Sequence, residues 1–501
     1  MLVPEHVGCT SAGAAQLVQS LFIGEPVQPR NHAQALRFRH LYQFMVEHKR
    51  RRLESSLTAG GILRAPMDLL APRAVQIDAS SHCQLACPVC PTANGLTRPV
   101  LGAGHLKLAD FERLLDRNPE IREVELSNYG EMFLNPQLPD LLACAYAREV
   151  VVSGGNGVNL NFASEAALNA VVKFRVRALT CSIDGATGET YARYRINGNL
   201  DQVLAHVDRI RELRRLSGSA FPLLDWQFVV MGHNEHEIEA ARAMARARGM
   251  QFLPRLSWSA DHSPVLNQDL VRIQTGLGAS SREEFRERKG VEYTRDICYQ
   301  LWRAPVINWD GKLLGCCANY WGDFGGNVFA DGLQASMRNP KLEYARQMLR
   351  GKAEPRPEIP CTTCDLYLAM RRAGGWMPEE VLQLSSAGEI VVGVVLTANS
   401  RFKFARVSIF QGAAAPRFEV SGRLFRFGSD TGVYFRAPAA GRYTVAAQCL
   451  DAAGWGAPAS RTVDISASPL CQQVKIEAGA GRDETSGHAA DQAKAVPFCI
   501  R

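Results

Sequence analysis

Three cysteines on one short stretch have a spacing that suits a metal cofactor. Cys83, Cys87 and Cys90 form a C-x3-C-x2-C pattern directly after the apolar run 73–78. Three thiolates on one loop can bind three irons of a cubane 4Fe-4S cluster, which leaves the fourth iron without a nearby protein ligand. Chemistry would occur at that open iron. A structural zinc site is the alternative, although zinc prefers four ligands and this loop offers no fourth cysteine.

A second group of cysteines follows later in the chain. Asp310-Gly311 lies between two apolar runs and predicts a hairpin turn that would bring an earlier cysteine close to one at the hairpin end. A later C-x2-C pair completes four thiolates, which could bind a closed 4Fe-4S cluster or a zinc ion. The predicted ligands are Cys298, Cys316, Cys361 and Cys364. Cys317 could replace its neighbour as a ligand.

The first cysteine loop resembles the signature of the radical S-adenosylmethionine (radical SAM) superfamily. This resemblance implies that the open iron binds S-adenosylmethionine through its methionine moiety. A flavodoxin- or ferredoxin-type donor would reduce the cluster, which would then cleave the cofactor to a 5′-deoxyadenosyl radical. One departure is Val89, which stands where the family commonly has an aromatic residue that contacts the adenine. The C…G-x4-C…C-x2-C order of the second group resembles the twitch form of the SPASM region, which holds one auxiliary cluster.

The same resemblance implies roles for residues outside the cysteine groups. These are Gly130, Glu131, Asn156, Ser182 and Arg195. Gly130-Glu131 looks like the family's GGE-type motif with Tyr129 in place of the first glycine, and it would fix the cofactor's amino group. Asn156, between two glycines, would form a wall of the cofactor site. Ser182 would bind the ribose hydroxyls, and Arg195 would pair with the methionine carboxylate. The alternative for Gly130-Glu131 is a simple turn, for Ser182 a strand-end cap, and for Arg195 a surface charge.

The surrounding sequence predicts the elements that would position these residues. Short β-like runs alternate with helical patterns, which is typical of βα units and a parallel sheet. The predicted strands are 74–78, 124–127, 150–153, 178–183, 226–231 and 251–256, and the predicted helices are 108–115, 139–147, 164–174, 200–216 and 235–248. In parallel α/β folds the reactive groups lie at the carboxyl ends of the strands, where these motifs fall.

The predicted fold class is α/β: a partial (β/α)6 TIM-like barrel, a small cysteine-rich auxiliary domain and a C-terminal antiparallel β-sandwich. The predicted domains are an N-terminal helical extension (1–70), the barrel (71–260), the auxiliary domain (261–385), an immunoglobulin-like sandwich (386–470) and a disordered tail (471–501). Alternating apolar runs about ten residues apart, separated by Gly and Pro, predict the sandwich.

Composition narrows the class of protein. The chain has 501 residues, more than one core normally supports. Its net charge is +7, and the positively charged side chains are scattered along the chain apart from the basic run 49–52. Nucleic acid is therefore not implied as a partner. The fourteen cysteines are clustered and no signal peptide is recognised, which favours reduced cysteines and a cytoplasmic location. No apolar stretch reaches the ~18 residues of a membrane span.

The resemblance implies a reaction that begins with abstraction of a substrate hydrogen in a water-poor cavity. A closed auxiliary cluster favours electron acceptance, and therefore a net oxidation of a sugar-like or other small-molecule substrate. A peptide-modifying maturase is the alternative within the superfamily, and a non-catalytic structural metalloprotein is the alternative outside it. No general base is assigned. Some relatives have an acidic residue beside the hairpin cysteine, whereas Cys316 is followed by Cys317, Ala318 and Asn319.

Overall fold

Strands and helices alternate in the computed structural model, which describes residues 63–66, 72–290, 292–377, 380–383, 390–398, 404–411, 423–426, 432–437, 440–451, 454–466, 468, 470 and 472–478. The strands are β1 (Leu63–Pro66), β2 (Ala74–Ile77), β3 (Glu123–Glu125), β4 (Val151–Val158), β5 (Ala178–Ser182), β6 (Leu223–Val230), β7 (Gln251–Leu256), β8 (Val306–Ile307), β9 (Leu313–Gly315), β10 (Glu380–Gln383), β11 (Ile390–Ala398), β12 (Phe404–Gln411), β13 (Arg423–Arg426), β14 (Gly432–Ala437), β15 (Gly441–Asp451), β16 (Gly454–Trp455), β17 (Ala459–Ile465) and β18 (Gln472–Ala478).

The helices of the described residues include every one that the sequence predicts between the barrel strands. They are α1 (Arg98–Leu101), α2 (Leu108–Arg117), α3 (Leu138–Ala147), α4 (Glu165–Lys173), α5 (Gly188–Tyr194), α6 (Leu200–Ser217), α7 (Ile238–Ala247), α8 (Gln268–Thr275), α9 (Arg282–Lys289), α10 (Gln300–Arg303), α11 (Val328–Asp331), α12 (Leu333–Met337), α13 (Pro340–Leu349) and α14 (Asp365–Ala373). None of the described helices has the length and apolarity needed to cross a bilayer.

A large sheet forms the centre of the fold. Its strand order is β7-β6-β5-β4-β3-β2-β8-β9, and β2 to β7 pair in parallel. The six predicted strands are therefore confirmed as members of one parallel sheet. Alternate residues of β6, among them Trp226 and Phe228, are buried, as expected for a strand with a core on one face.

Helix α6 shows how the connecting helices are specified. Asn199 caps its start by accepting a hydrogen bond from the Gln202 backbone N–H, and Gly218 ends it in the left-handed conformation at φ 59°. Val203, Val207 and Ile210 are fully buried at helical spacing and face the sheet. Burial of each such side chain contributes roughly 1.5–3 kcal/mol.

The third barrel strand is longer than the predicted 150–153. Residues 155–157 also belong to β4, whose pairing with β5 shifts register between Gly154 and Val158. Gly157 absorbs this irregularity at φ 131°, a conformation that favours glycine. A sequence pattern of small residues indicates a turn and a strand irregularity equally well, so only the pairing decides between them.

The hairpin around Asp310-Gly311 is confirmed, with β8 and β9 antiparallel and Gly311 at φ 90°. It continues the barrel sheet, because β8 pairs in parallel with β2. Apolar side chains of this region and of the barrel also form a single buried cluster. The boundary predicted at residue 260 therefore does not separate two cores.

The C-terminal strands form two sheets, ordered β14-β11-β18 and β13-β12-β15-β16 with β17 on β15, and their facing side chains share one apolar cluster. The expectation of purely antiparallel pairing is wrong at one place, since β11 and β18 run parallel. Strand β18 also lies in the segment 471–501 that was expected to be disordered. These residues are ordered by pairing with a strand that is distant in the sequence, and local composition does not reveal such pairing. The immunoglobulin-like assignment stays a prediction.

The N-terminal extension is not wholly helical, because β1 pairs antiparallel with β10. This four-residue strand is too short to leave a period-two pattern, and its partner lies more than 300 residues away. The rest of the predicted helical extension, residues 1–62 and 67–70, lies outside the described residues, as does the tail beyond residue 478.

Candidate functional site

The first cysteine loop begins where β2 ends, at the carboxyl edge of the parallel sheet. Backbone hydrogen bonds fix it on three sides: Ser81 N–H donates to Gly104 O at 3.0 Å, Glu131 N–H to His82 O at 2.7 Å, and Ala86 N–H to Ile196 O at 3.0 Å. The loop is therefore held by the segments that follow α1, β3 and α5.

The structure brings the three cysteines of this loop together. The thiols of Cys83, Cys87 and Cys90 are close enough to interact electrostatically, and all three pack in one cluster with Leu85 and Met231. Burial raises the pKa of Cys83 to about 12. Binding of iron would therefore have to release the thiol protons.

N–H donors point at two of the three sulfurs of this loop. Asn159 Nδ2 lies 3.6 Å from Cys83 Sγ, and Arg195 Nη1 lies 3.8 Å from Cys87 Sγ. N–H groups of this kind stabilise thiolate ligands and tune the reduction potential of a cluster. The donor set therefore fits the predicted cofactor.

Gly130 has a structural role that the motif resemblance did not reveal. A Cβ atom built on it would stand 1.8 Å from Ser80 O and 2.9 Å from Ser81 Cα. The backbone that leads into the cysteine loop therefore rests directly on Gly130. The glycine is needed for this close approach, and its predicted contact with the cofactor amine stays a prediction.

Glu131 lies beside the loop and is buried, with 2% of its surface exposed. It accepts hydrogen bonds from Asn159 N–H at 2.6 Å and Phe133 N–H at 3.2 Å. Burial raises its pKa to about 7, although these backbone donors act in the opposite direction. A carboxylate has more acceptor positions than these two bonds use, so Glu131 can still accept from an ammonium group.

Arg195 pairs with a carboxylate of the chain itself. Its Nη2 lies 2.6 Å and its Nε 2.7 Å from Asp184 Oδ2, while Asp184 Oδ1 accepts from Val229 N–H at 2.7 Å. Asp184 is fully buried. The surface-charge alternative for Arg195 is wrong, and its pairing with the methionine carboxylate stays a prediction. The sequence signal for Asp184 was its place in Ser-Ile-Asp-Gly at the end of β5.

Ser182 and Asn156 take different positions around β4. Ser182 Oγ lies against Gly157, where an added Cβ would stand 2.8 Å from it. Asn156 Nδ2 donates to Asn128 Oδ1 at 3.1 Å, and its side chain also lies close to the Cys317 thiol. Asn156 therefore links the barrel to the second cysteine group, while Ser182 lies further along the sheet.

The second cysteine group also comes together. Cys316 interacts electrostatically with Cys298, Cys361 and Cys364. Cys364 stands at the N-cap position of α14, beside the backbone N–H groups of Leu366 and Tyr367, which favour a thiolate there. Burial acts more strongly and raises the pKa of its thiol.

Cys317 takes a different direction from its neighbour, because its thiol meets the side chains of Asn156 and Gln300. This placement favours Cys316 over Cys317 as the ligand.

Within the described part of the chain, no three His, Cys, Asp or Glu side chains meet at the spacing that one metal ion needs. The cysteine ligands of a cubane each bind a different iron, so their sulfurs need not converge on a single point.

Tyr129 shows why the motif departs from the family pattern. Its hydroxyl donates to Ala318 O at 2.8 Å, and its ring packs edge-on against Tyr320 at 5.6 Å between centroids. The side chain that replaces the motif's first glycine thus joins the barrel to the loop after β9. Sequence reasoning missed this contact, as it missed Asn159.

A scan of known family models finds no match, and neither does a search of curated proteins. Several solved structures are similar at low identity. The chain is 14% identical to SuiB of Streptococcus suis bound to S-adenosylmethionine, with 71% of this chain and 80% of that chain covered and a TM-score of 0.44. BtrN in complex with AdoMet and 2-DOIA is 13% identical, with 59% of this chain and 93% of that chain covered and a TM-score of 0.34. Methylornithine synthase (PylB) is 12% identical, with 68% of this chain and 97% of that chain covered and a TM-score of 0.37. The SuiB and BtrN structures were solved with S-adenosylmethionine (AdoMet) bound.

Proposed function

We propose that this protein is a radical SAM enzyme that holds a 4Fe-4S cluster on Cys83, Cys87 and Cys90. The observation that carries the proposal is the grouping of these thiols on one loop at the carboxyl edge of a parallel sheet, with N–H donors aimed at two of the sulfurs. When bound, the cluster and S-adenosylmethionine supply a 5′-deoxyadenosyl radical that abstracts a substrate hydrogen.

The residues around the loop have separate tasks in this proposal. Asn159 and Arg195 hold positive or partially positive groups against the ligand sulfurs. Glu131 presents a buried carboxylate that accepts from the cofactor's amino group. Asp184 fixes the guanidinium of Arg195, which would also bind the cofactor's carboxylate. Ser182 hydrogen-bonds the ribose hydroxyls, and Asn156 forms a wall of the site.

The second cysteine group holds an auxiliary 4Fe-4S cluster on Cys298, Cys316, Cys361 and Cys364 in the same proposal. Four thiolates close its ligand shell, so substrate would not bind to its iron. An acceptor of electrons placed beside the barrel favours a net oxidation of a sugar-like or other small-molecule substrate. A flavodoxin- or ferredoxin-type protein would reduce the first cluster.

Two other functions stay open to test. SuiB has been solved bound to the precursor peptide SuiA, and BtrN with the small molecule 2-DOIA, so the similar structures include both kinds of complex. A peptide-modifying enzyme is therefore the second candidate. A non-catalytic metalloprotein, in which both cysteine groups hold structural zinc, is the candidate of another class.

Anaerobic purification tests the proposal directly. We expect about eight irons per chain, by two four-iron clusters, and release of 5′-deoxyadenosine when S-adenosylmethionine and dithionite are added. Cys87→Ala should abolish the release. Cys449→Ala is the matched control, because this buried cysteine lies in the C-terminal sheets and should leave the release intact. A zinc protein without release, or a Cys87→Ala variant with full release, would contradict the proposal.

A further inference from the structure

Asp78 is a buried carboxyl group whose hydrogen bonding is incomplete. It follows β2 immediately, five residues before Cys83, and is 1% exposed. Its Oδ1 accepts one long hydrogen bond, 3.4 Å, from Tyr129 N–H. Its Oδ2 has no hydrogen-bond partner among the described residues. A buried carboxyl oxygen without a donor is costly, so the fold gains nothing by keeping it there unless something else binds it.

Glu125, a half-buried carboxyl on the neighbouring strand β3, shows how this chain treats a structural carboxylate. It accepts from Ser153 Oγ at 2.6 Å, from Gly155 N–H at 2.7 Å and from Ser127 Oγ at 2.5 Å. Both of its oxygens are thus bonded within the fold. The contrast with Asp78 indicates that the free oxygen of Asp78 serves a ligand.

Asn128 supplies a complementary free group next to Asp78. Its Oδ1 accepts from Asn156 Nδ2, whereas its own Nδ2 is buried and has no partner among the described residues. Asn128 directly precedes Tyr129, whose N–H bonds Asp78. One free acceptor and one free donor therefore stand on adjacent segments. They lie between the two cysteine groups, because Asp78 leads into the first and Asn156 contacts Cys317 of the second.

We propose that Asp78 and Asn128 anchor a hydroxyl group of a polyol substrate between the two cysteine groups. The inference rests on the proposed function and names the substrate class of that site. A hydroxyl donates and accepts through one atom, so it satisfies Asp78 Oδ2 and Asn128 Nδ2 together. An ammonium group would leave the Asn128 donor unpaired, since it cannot accept, and a carboxylate would meet Asp78 as a like charge.

The first test uses stability and needs no substrate. Asp78→Asn removes a carboxyl that the fold leaves unpaired, so its Tm at pH 8 should equal or exceed that of the unchanged protein. Glu125→Gln is the matched control, because its amide NH2 would face donors, and its Tm should fall. A fall in the Tm of Asp78→Asn as large as that of Glu125→Gln would mean that Asp78 is structural and would overturn the inference.

The second test measures binding, with myo-inositol as the polyol probe and Ala-Ser-Ala as a peptide that carries a hydroxyl. Calorimetric titration at pH 8 into the protein loaded with S-adenosylmethionine, without reductant, should give binding of myo-inositol. Asp78→Asn should raise the Kd about ten- to hundred-fold, the loss expected for one hydrogen bond to a charged group.

Equal affinity in the variant, binding of the peptide alone, or binding of neither probe would overturn the inference. Failure of the proposed function is a separate result, because it is read from iron content and 5′-deoxyadenosine release in the unchanged protein.

Discussion

Substitution of Gly130 by alanine should detach the start of the cysteine loop from the barrel. The added Cβ would stand 1.8 Å from Ser80 O and 2.5 Å from Ser80 C, whereas real Cβ contacts are essentially never shorter than 3.0 Å. Both atoms belong to the backbone, so no side-chain rotation can relieve the overlap. The loop or the segment 129–131 must move by more than 1 Å, to judge from the same distances.

The magnitude follows from what holds these two segments in place. Ser81 N–H donates to Gly104 O, and Glu131 N–H donates to His82 O, on either side of the overlap. Movement would lengthen both bonds, at ~0.5–1.5 kcal/mol each, and overpacking itself costs about 1–3 kcal/mol. We therefore expect a loss of roughly 2–6 kcal/mol in the free energy of unfolding, concentrated at the loop.

The assay combines chemical denaturation with iron analysis of anaerobically purified protein. Gly130→Ala should retain about four irons, those of the second cysteine group, and release no 5′-deoxyadenosine. Gly188→Ala is the control, because an added Cβ at the first position of α5 meets no atom within 4 Å. Its stability and iron content should match the unchanged protein. A Gly130→Ala protein with unchanged stability and about eight irons would refute the packing argument.

Three further predictions concern the ion pair, the hairpin cysteines and pH. Arg195→Ala should lower the free energy of unfolding by ~3–5 kcal/mol in denaturation experiments, because it leaves Asp184 buried without its partner; a loss below ~1 kcal/mol would show that the pair is solvated. Iron analysis should find about four irons in Cys316→Ser and about eight in Cys317→Ser, and the reverse would exchange the ligand assignment. Burial raises the pKa of Asp78 from 3.8 to about 7, so its contribution to stability is complete below about pH 4 and is lost as pH rises through 7. Asp78→Asn should therefore lose less stability than the unchanged protein between about pH 5 and pH 8, and parallel losses would contradict the burial argument.

Local patterns in the sequence predicted the parts of this protein that depend on near neighbours. The βα alternation gave all six parallel strands, since each has its own apolar run. The Asp310-Gly311 turn gave the hairpin, because two adjacent residues fix its geometry. Strands β1 and β18 were missed because their pairing partners lie far away in the chain.

The candidate site divides in the same way. Spacing alone grouped Cys83, Cys87 and Cys90, because a single loop spans all three. The contacts of Arg195 with Asp184 and of Tyr129 with Ala318 depend on where separate strands and loops end. No local rule specifies such contacts.

Residue types and short spacings identify the cysteines that could bind iron, because ligand chemistry depends on little else. Tertiary structure alone decided that Gly130 supports the loop, that Cys316 and Cys317 face different neighbours, and that Asp78 keeps an unpaired oxygen. Each of these depends on distances between segments that meet only when the parallel sheet has formed. A one-dimensional pattern carries residue types, whereas hydrogen-bond satisfaction and close backbone approach are properties of the folded chain.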